Sequence, residues 1–161
     1  PKAAASLSTS LQQGKIEKWY QAVICGKPVD NNGTYVDYLK QDKKNNCSRI
    51  VDKSDPDGKR AELEYKVLDC IRTEEKDSQY LSLVEIKLLT GRHHQIRVQF
   101  SGHGTPLYGD GKYGNNEKAV RKSLALCACH LKFKHPATGK IMDFQIKPDT
   151  GAFKLFSKSN D

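Results

Sequence analysis

The stretch richest in chemical groups is TGRHHQIRVQF, Thr90 to Phe100, with the loop that follows it to Gly114. Arg92, His93, His94, Gln95 and Arg97 crowd together just after a threonine and a glycine. Cations and side-chain donors gathered where a helix opens suit an anionic ligand, because the free N–H groups there also favour negative charge. The same place disfavours cations left alone. A carboxylate or a phosphate is therefore expected nearby, and Arg92 or Arg97 could grip either with two parallel hydrogen bonds. His93 and His94 are adjacent, so on a helix they diverge, and the i, i+4 spacing of a zinc helix is absent, which argues against a metal. A solvated polar face is the plainer reading for His93. It suits Arg92 less well, since Arg92 is pinned beside Gly91 at a strand–helix junction.

The flanking elements follow from periodicity. Residues 2–13 are helical in character, with Gly14 as the stop. Residues 15–25 (KIEKWYQAVIC) alternate, Ile16, Tyr20, Ala22 and Ile24 on one side and Trp19, Val23 and Cys25 on the other, which predicts a strand covered on both faces. Asn31-Asn32-Gly33 is expected to turn the chain, and the charged residues 40–60 to form an exposed excursion with short extended pieces. Residues 61–72 and 80–89 alternate as the two arms of a hairpin around a loop at Glu74–Gln79. The period then changes: His93, Ile96, Arg97 and Phe100 fall at helical spacing with Thr90 near the cap position. Residues 101–115 read as loop, and strands return at 124–134 and about 141–147. The fold class this predicts is α+β, a mixed, largely antiparallel sheet flanked by a few helices.

The chain has 161 residues, enough for one domain with a real core. It begins at Pro1 within residues of helical character, so the start reads as a cut, and residues 1–161 are expected to be a single domain truncated at its N-terminus. Twenty-seven Lys and Arg oppose 19 Asp and Glu, a formal charge of +8. That balance attracts polyanions, since neutralising phosphates releases counterions, although a basic surface that only keeps the chain in solution has the same composition. The five cysteines follow no framework spacing. Cys127 and Cys129 share a strand face without a second pair to complete a zinc site, and buried free thiols in a reducing cytosol are the expectation. No apolar run approaches the roughly 18 residues that cross a bilayer.

TGRHHQIRVQF followed by PLYGDGKYG resembles the signature of the RluA-type RNA pseudouridine synthases, TGRxHQIRVH and then GHPxxGDxxYG. Thr90, Gly91, Arg92, His94, Gln95, Ile96, Arg97 and Val98 match, as do Pro106, Gly109, Asp110, Tyr113 and Gly114. KWYQAV is similar to the family's KxYxA strand, with Lys18 and Tyr20, and LALCACHLKFKHPATGK to its LxAxxLxFxHPxTG hairpin. Gln99 and Cys127 stand where histidine is usual, and the loop Gly102–Pro106 departs from the Gly-His-Pro run. The HRLDxxTSG segment that carries the catalytic aspartate has no counterpart here.

The resemblance implies an enzyme that isomerises uridine to pseudouridine in structured ribosomal or transfer RNA, after flipping the base into a pocket. It makes Arg92 the ion-pair partner of the aspartate, Tyr20 the residue against the base that moves the C5 proton, and Ile96 the apolar wall beneath the ring. His94, Gln95, Arg97 and Lys18 would support the site or grip RNA. Asp110 would shape a turn or lock Arg97, and Tyr113 would pack. No cofactor and no metal is implied, and a cytoplasmic monomer without membrane attachment is expected. The catalytic Asp is expected upstream of Pro1, which would leave this chain alone inactive and exposing core surface. The alternative is a relative that binds RNA without isomerising it.

Overall fold

A computed structural model describes residues 2–74, 80–114 and 122–157. The elements in chain order are α1 (Lys2–Gln12), β1 (Glu17–Cys25), β2 (Asn32–Asp42), β3 (Cys47–Val51), β4 (Lys59–Arg72), β5 (Tyr80–Leu88), α2 (Gln95–Gly102), β6 (Leu126–Lys134), β7 (Ile141–Gln145) and a closing 3-10 turn (Gly151–Phe156). The strands form one seven-stranded sheet in the order β3-β2-β4-β5-β1-β6-β7. Every pairing among the described residues is antiparallel, as the hairpin-linked sequence pattern predicts. Among the described residues no helix is long and apolar enough to cross a membrane.

The alternation in β1 is the axis of the fold. Ala22 and Ile24, both 0% exposed, join Leu63, Val84 and Ile86 in a cluster closed by Ile96 and Phe100 of α2 and by Leu107. On the opposite face Val23 packs with Leu81, Ala125 and Phe153, the last supplied by the 3-10 turn. Both sides of β1 are therefore covered, and each fully buried side chain of this size contributes about 1.5–3 kcal/mol. A third cluster of Leu39, Ala61 and Val98 fastens the far end of α2 to β2 and β4.

Several boundaries differ from the sequence reading. The excursion over residues 40–60 is an ordered hairpin in which β3 pairs with β2, from Tyr38 opposite Val51 to Asp42 opposite Cys47. Its charged composition fits an edge strand, whose polar side chains guard an open row of backbone groups. Asn32 and Gly33 start β2 instead of turning. A side chain at Gly33 would meet the Tyr65 ring at 3.0 Å, so its glycine serves close approach. The helix expected to open near Thr90 begins at Gln95. Of the predicted Glu74–Gln79 loop, residues 75–79 lie outside the described residues. Cys129 is buried and Cys127 half-buried, both as free thiols.

Candidate active site

The site is built where β5 leaves the sheet and hands the chain to α2, next to β1. Thr90 cannot cap the helix because its hydroxyl is committed to β4 and to Gln95. It accepts the Glu62 N–H at 2.8 Å and lies 2.8 Å from Gln95 Oε1. Gln95 is buried, and its amide closes the junction from within. Oε1 accepts the Arg92 N–H at 2.9 Å, while Nε2 donates to the Glu62 carbonyl at 3.1 Å. The turn between Thr90 and Gln95 is thus wound around one side-chain amide. Substituting Gln95→Ala removes the acceptor of the Arg92 N–H, while the Glu62 carbonyl keeps the Leu89 and Thr90 N–H groups. We expect a loss of about 1–2 kcal/mol in denaturant unfolding. Unaltered stability would show that water replaces the amide.

Arg92 itself is exposed, and its Nε donates to the Arg60 carbonyl on β4 at 2.8 Å. Among the described residues no carboxylate lies within ion-pair distance of it. Lys18 on β1 approaches from the other side: a Cβ at Gly91 would lie 3.4 Å from its Nζ, and burial lowers its pKa from the ordinary lysine value. Tyr20, one pleat further along β1, is half-buried against the cluster that contains Ile96. Burial raises its phenol above the usual tyrosine range, so it is protonated through neutral pH. The β1–β6 register shifts between Trp19 and Tyr20, leaving Cys129 as the extra residue, and such a bulge re-aims the side chains beside it. Lys18, Tyr20, Arg92 and Ile96 therefore come from three elements to one end of the sheet.

Arg97 has the carboxylate that the crowded cations demanded. Its Nε and Nη2 donate to Asp110 at 2.8 Å each, a two-pronged pair with Asp110 fully buried. Asp110 also accepts the N–H groups of Lys112 and Tyr113 at 3.0 Å, so it both locks Arg97 and shapes the turn. Burial pushes its pKa up, but Arg97 and these N–H groups outweigh that and hold it below the usual carboxylate range. Gly109 makes the turn possible: it sits at φ +75, and a Cβ there would lie 2.2 Å from the Ser123 carbonyl oxygen.

His94 occupies the left-handed region at φ 52 as the residue before α2. Its Nδ1 lies 2.8 Å from the Tyr113 hydroxyl, which itself accepts the Ser48 N–H at 2.9 Å. The hydroxyl can donate to His94 Nδ1 when the imidazole is neutral. Burial, followed by the charges of His93, Arg97 and Lys112, lowers the His94 pKa in accord with this. Tyr113 is thus a hydrogen-bonding hub as well as a packing residue. His93, outside the helix, bridges Ser48 Oγ at 2.9 Å and Asn46 Oδ1 at 3.0 Å on the β2–β3 hairpin. Gln99, in place of the family's usual histidine, is buried and donates from Nε2 to Asp37 at 2.7 Å. These long-range partners, Asp37, Asn46 and Ser48, carry no local sequence signal. Among the described residues no group of three or more His, Cys, Asp or Glu is arranged to hold a metal ion.

The sheet with a TGR junction feeding α2 was compared with known proteins. The profile of the RNA pseudouridylate synthase family matches residues 1–102. The ribosomal large subunit pseudouridine synthase D of Zymomonas mobilis is 34% identical over 153 residues, 90% of this chain and 45% of that protein. The Bacillus subtilis RNA pseudouridine synthase YlyB is 36% identical over 143 residues, 89% of this chain and 44% of its own length. Human RNA pseudouridylate synthase domain containing 1 superposes with a TM-score of 0.75 at 22% identity, over 91% of this chain and 60% of that one. The chain belongs to the RNA pseudouridylate synthase family. It spans about half the length of the curated relatives it matches.

Proposed function

We propose that the complete protein is an RNA pseudouridine synthase, converting uridine to pseudouridine in structured ribosomal or transfer RNA, with residues 1–161 forming one part of its catalytic domain. The observation that carries this reading is the Gly91–Arg92 junction, where an exposed guanidinium is fixed on a β4 carbonyl and Lys18 Nζ approaches Gly91, with the half-buried Tyr20 phenol two residues along the same strand as Lys18. The reaction breaks the N1–C1′ bond of uridine and joins C5 to C1′. The C5 proton leaves and N1 gains one, so the product is an isomer. The nucleotide is flipped first, at a cost of a few kcal/mol that is lowest in a loop.

An aspartate begins the reaction at the sugar, by attack or by proton abstraction. It is supplied by a segment before Pro1, and Arg92 holds it charged and oriented. The base lies over Ile96 and against Tyr20. A protonated phenol moves the C5 proton by relay, passing its own to solvent, from which N1 takes one, as it accepts the other. Lys18 meets RNA, whereas His94, Gln95 and Arg97 serve by fixing the junction, committed as they are to Tyr113, Thr90 and Asp110. No metal or organic cofactor takes part. The free thiols suit a reducing cytoplasm, where the protein acts as a monomer.

The test is to incubate the full-length protein with ribosomal and transfer RNA and map pseudouridine by carbodiimide labelling. Tyr20→Phe is expected to slow single-turnover conversion by about 10²-fold or more while RNA affinity stays within a small factor. RNA binding by the wild type without any pseudouridine would instead establish the non-catalytic relative. That second reading draws on the lack, among the described residues, of a carboxylate facing Arg92.

A further inference from the structure

A cavity of about 510 Å3 lies between the Gly91–Arg92 junction and the β2–β3 hairpin. Its charged lining is Lys40, Lys43, Lys59 and Arg92 against Asp57, with His93 at the rim. Lys40 is already neutralised, its Nζ 3.2 Å from Asp55 and 2.8 Å from Asp57. Lys43, Lys59 and Arg92 are exposed and have no acidic partner among the described residues. Three uncompensated cations in one concave wall concentrate positive potential and draw a polyanion, with release of its counterions.

The wall is held in place. His93 ties Asn46 and Ser48 to the junction, Tyr113 accepts the Ser48 N–H, and Lys112 Nζ donates to the Asn46 carbonyl at 2.7 Å. A ligand therefore meets a prepared surface and spends little binding free energy on ordering it. Arg92 belongs both to this groove and to the site described above, so a polymer that presents its nucleotide to Tyr20 has adjoining backbone within the groove.

We propose that this groove is a phosphodiester-binding track for the RNA next to the flipped nucleotide, with Lys43 and Lys59 as its phosphate contacts. The inference rests on the synthase reading. It is tested in the full-length protein by titrating a uridine-containing RNA hairpin at several salt concentrations. Replacing Lys43→Ala and Lys59→Ala together should weaken binding about tenfold at moderate salt and lower the slope of log affinity against log salt by about 1.4–1.8. The pair Lys43→Arg and Lys59→Arg should keep both values, because charge is retained. An alanine pair with unaltered affinity and slope overturns the groove, and so does a loss that the arginine pair shares. Wild-type protein that converts uridine beside an alanine pair of unaltered slope removes the groove alone. Wild-type protein that binds no RNA removes the synthase reading and the groove with it.

Discussion

Arg92→Ala in the full-length protein should lower single-turnover conversion by about 10³-fold or more while weakening RNA affinity only a few-fold. The asymmetry follows from where Arg92 sits. Its backbone N–H is held by Gln95 and its Nε by the Arg60 carbonyl, so the guanidinium is presented in a fixed direction at little entropic cost. On the synthase reading Arg92 orients the carboxylate that reacts at the sugar and does not itself hold the RNA, so its loss falls on the rate. If RNA is bound through the chain's excess of 27 Lys and Arg over 19 Asp and Glu, one cation among them counts for little in affinity. Arg92→Lys should recover part of the rate, since charge survives but the planar fork does not. Measuring the rate at saturating RNA alongside the dissociation constant separates these effects. Lost binding with undiminished conversion of bound RNA would remove Arg92 from the chemistry.

Asp110→Ala should destabilise the fold by about 3 kcal/mol, because Arg97 is left as a half-buried cation without its partner. Two loop N–H groups lose their acceptor at the same time. Against a total stability of about 5–15 kcal/mol this is a large fraction, and denaturant titration will read it directly. A loss under about 1 kcal/mol would mean that solvent screens the pair. The pH dependence has a defined sign. The Asp110 pKa is lower folded than unfolded, so its contribution is complete above the unfolded carboxylate value and is lost as pH falls through the folded one. His94, also lowered on folding, acts in the same direction, beginning near the ordinary histidine value. Wild-type stability should therefore fall on acidification, and Asp110→Ala should flatten the lower part of that decline.

How much of this was legible in the sequence depended on the range of the interactions. The strands β1, β4 and β5 bury alternate residues against continuous layers, and a period-two pattern reports that directly. The TGR junction was legible as a crowding of cations after a strand. Its geometry was not: Thr90 looks like a cap locally, but its hydroxyl is taken by Glu62, 28 residues earlier, and by Gln95. The anion expected near the arginines proved to be Asp110 for Arg97, 13 residues away, a choice that motif spacing left open. The β2–β3 hairpin was blurred because its edge strand β3 is five residues long with one neighbour, so it lacks the apolar alternation that marks central strands. His93 shows the same limit, since both of its partners lie on that hairpin.

The partners that fix the junction to β4 are main-chain atoms: the carbonyl of Arg60 for Arg92, and the carbonyl of Glu62 for Gln95. A carbonyl survives nearly every replacement of its own side chain. Positions 60 and 62 can therefore drift in evolution, or be recoded at will, without unmooring the guanidinium. What the junction inherits is the alignment of β4 against β5, with Leu63 opposite Leu88. Slipping that alignment by one residue would carry both carbonyls away together. Selection on the reaction would then appear as strict spacing between strands, with free choice of letter at the very residues that Arg92 and Gln95 hold.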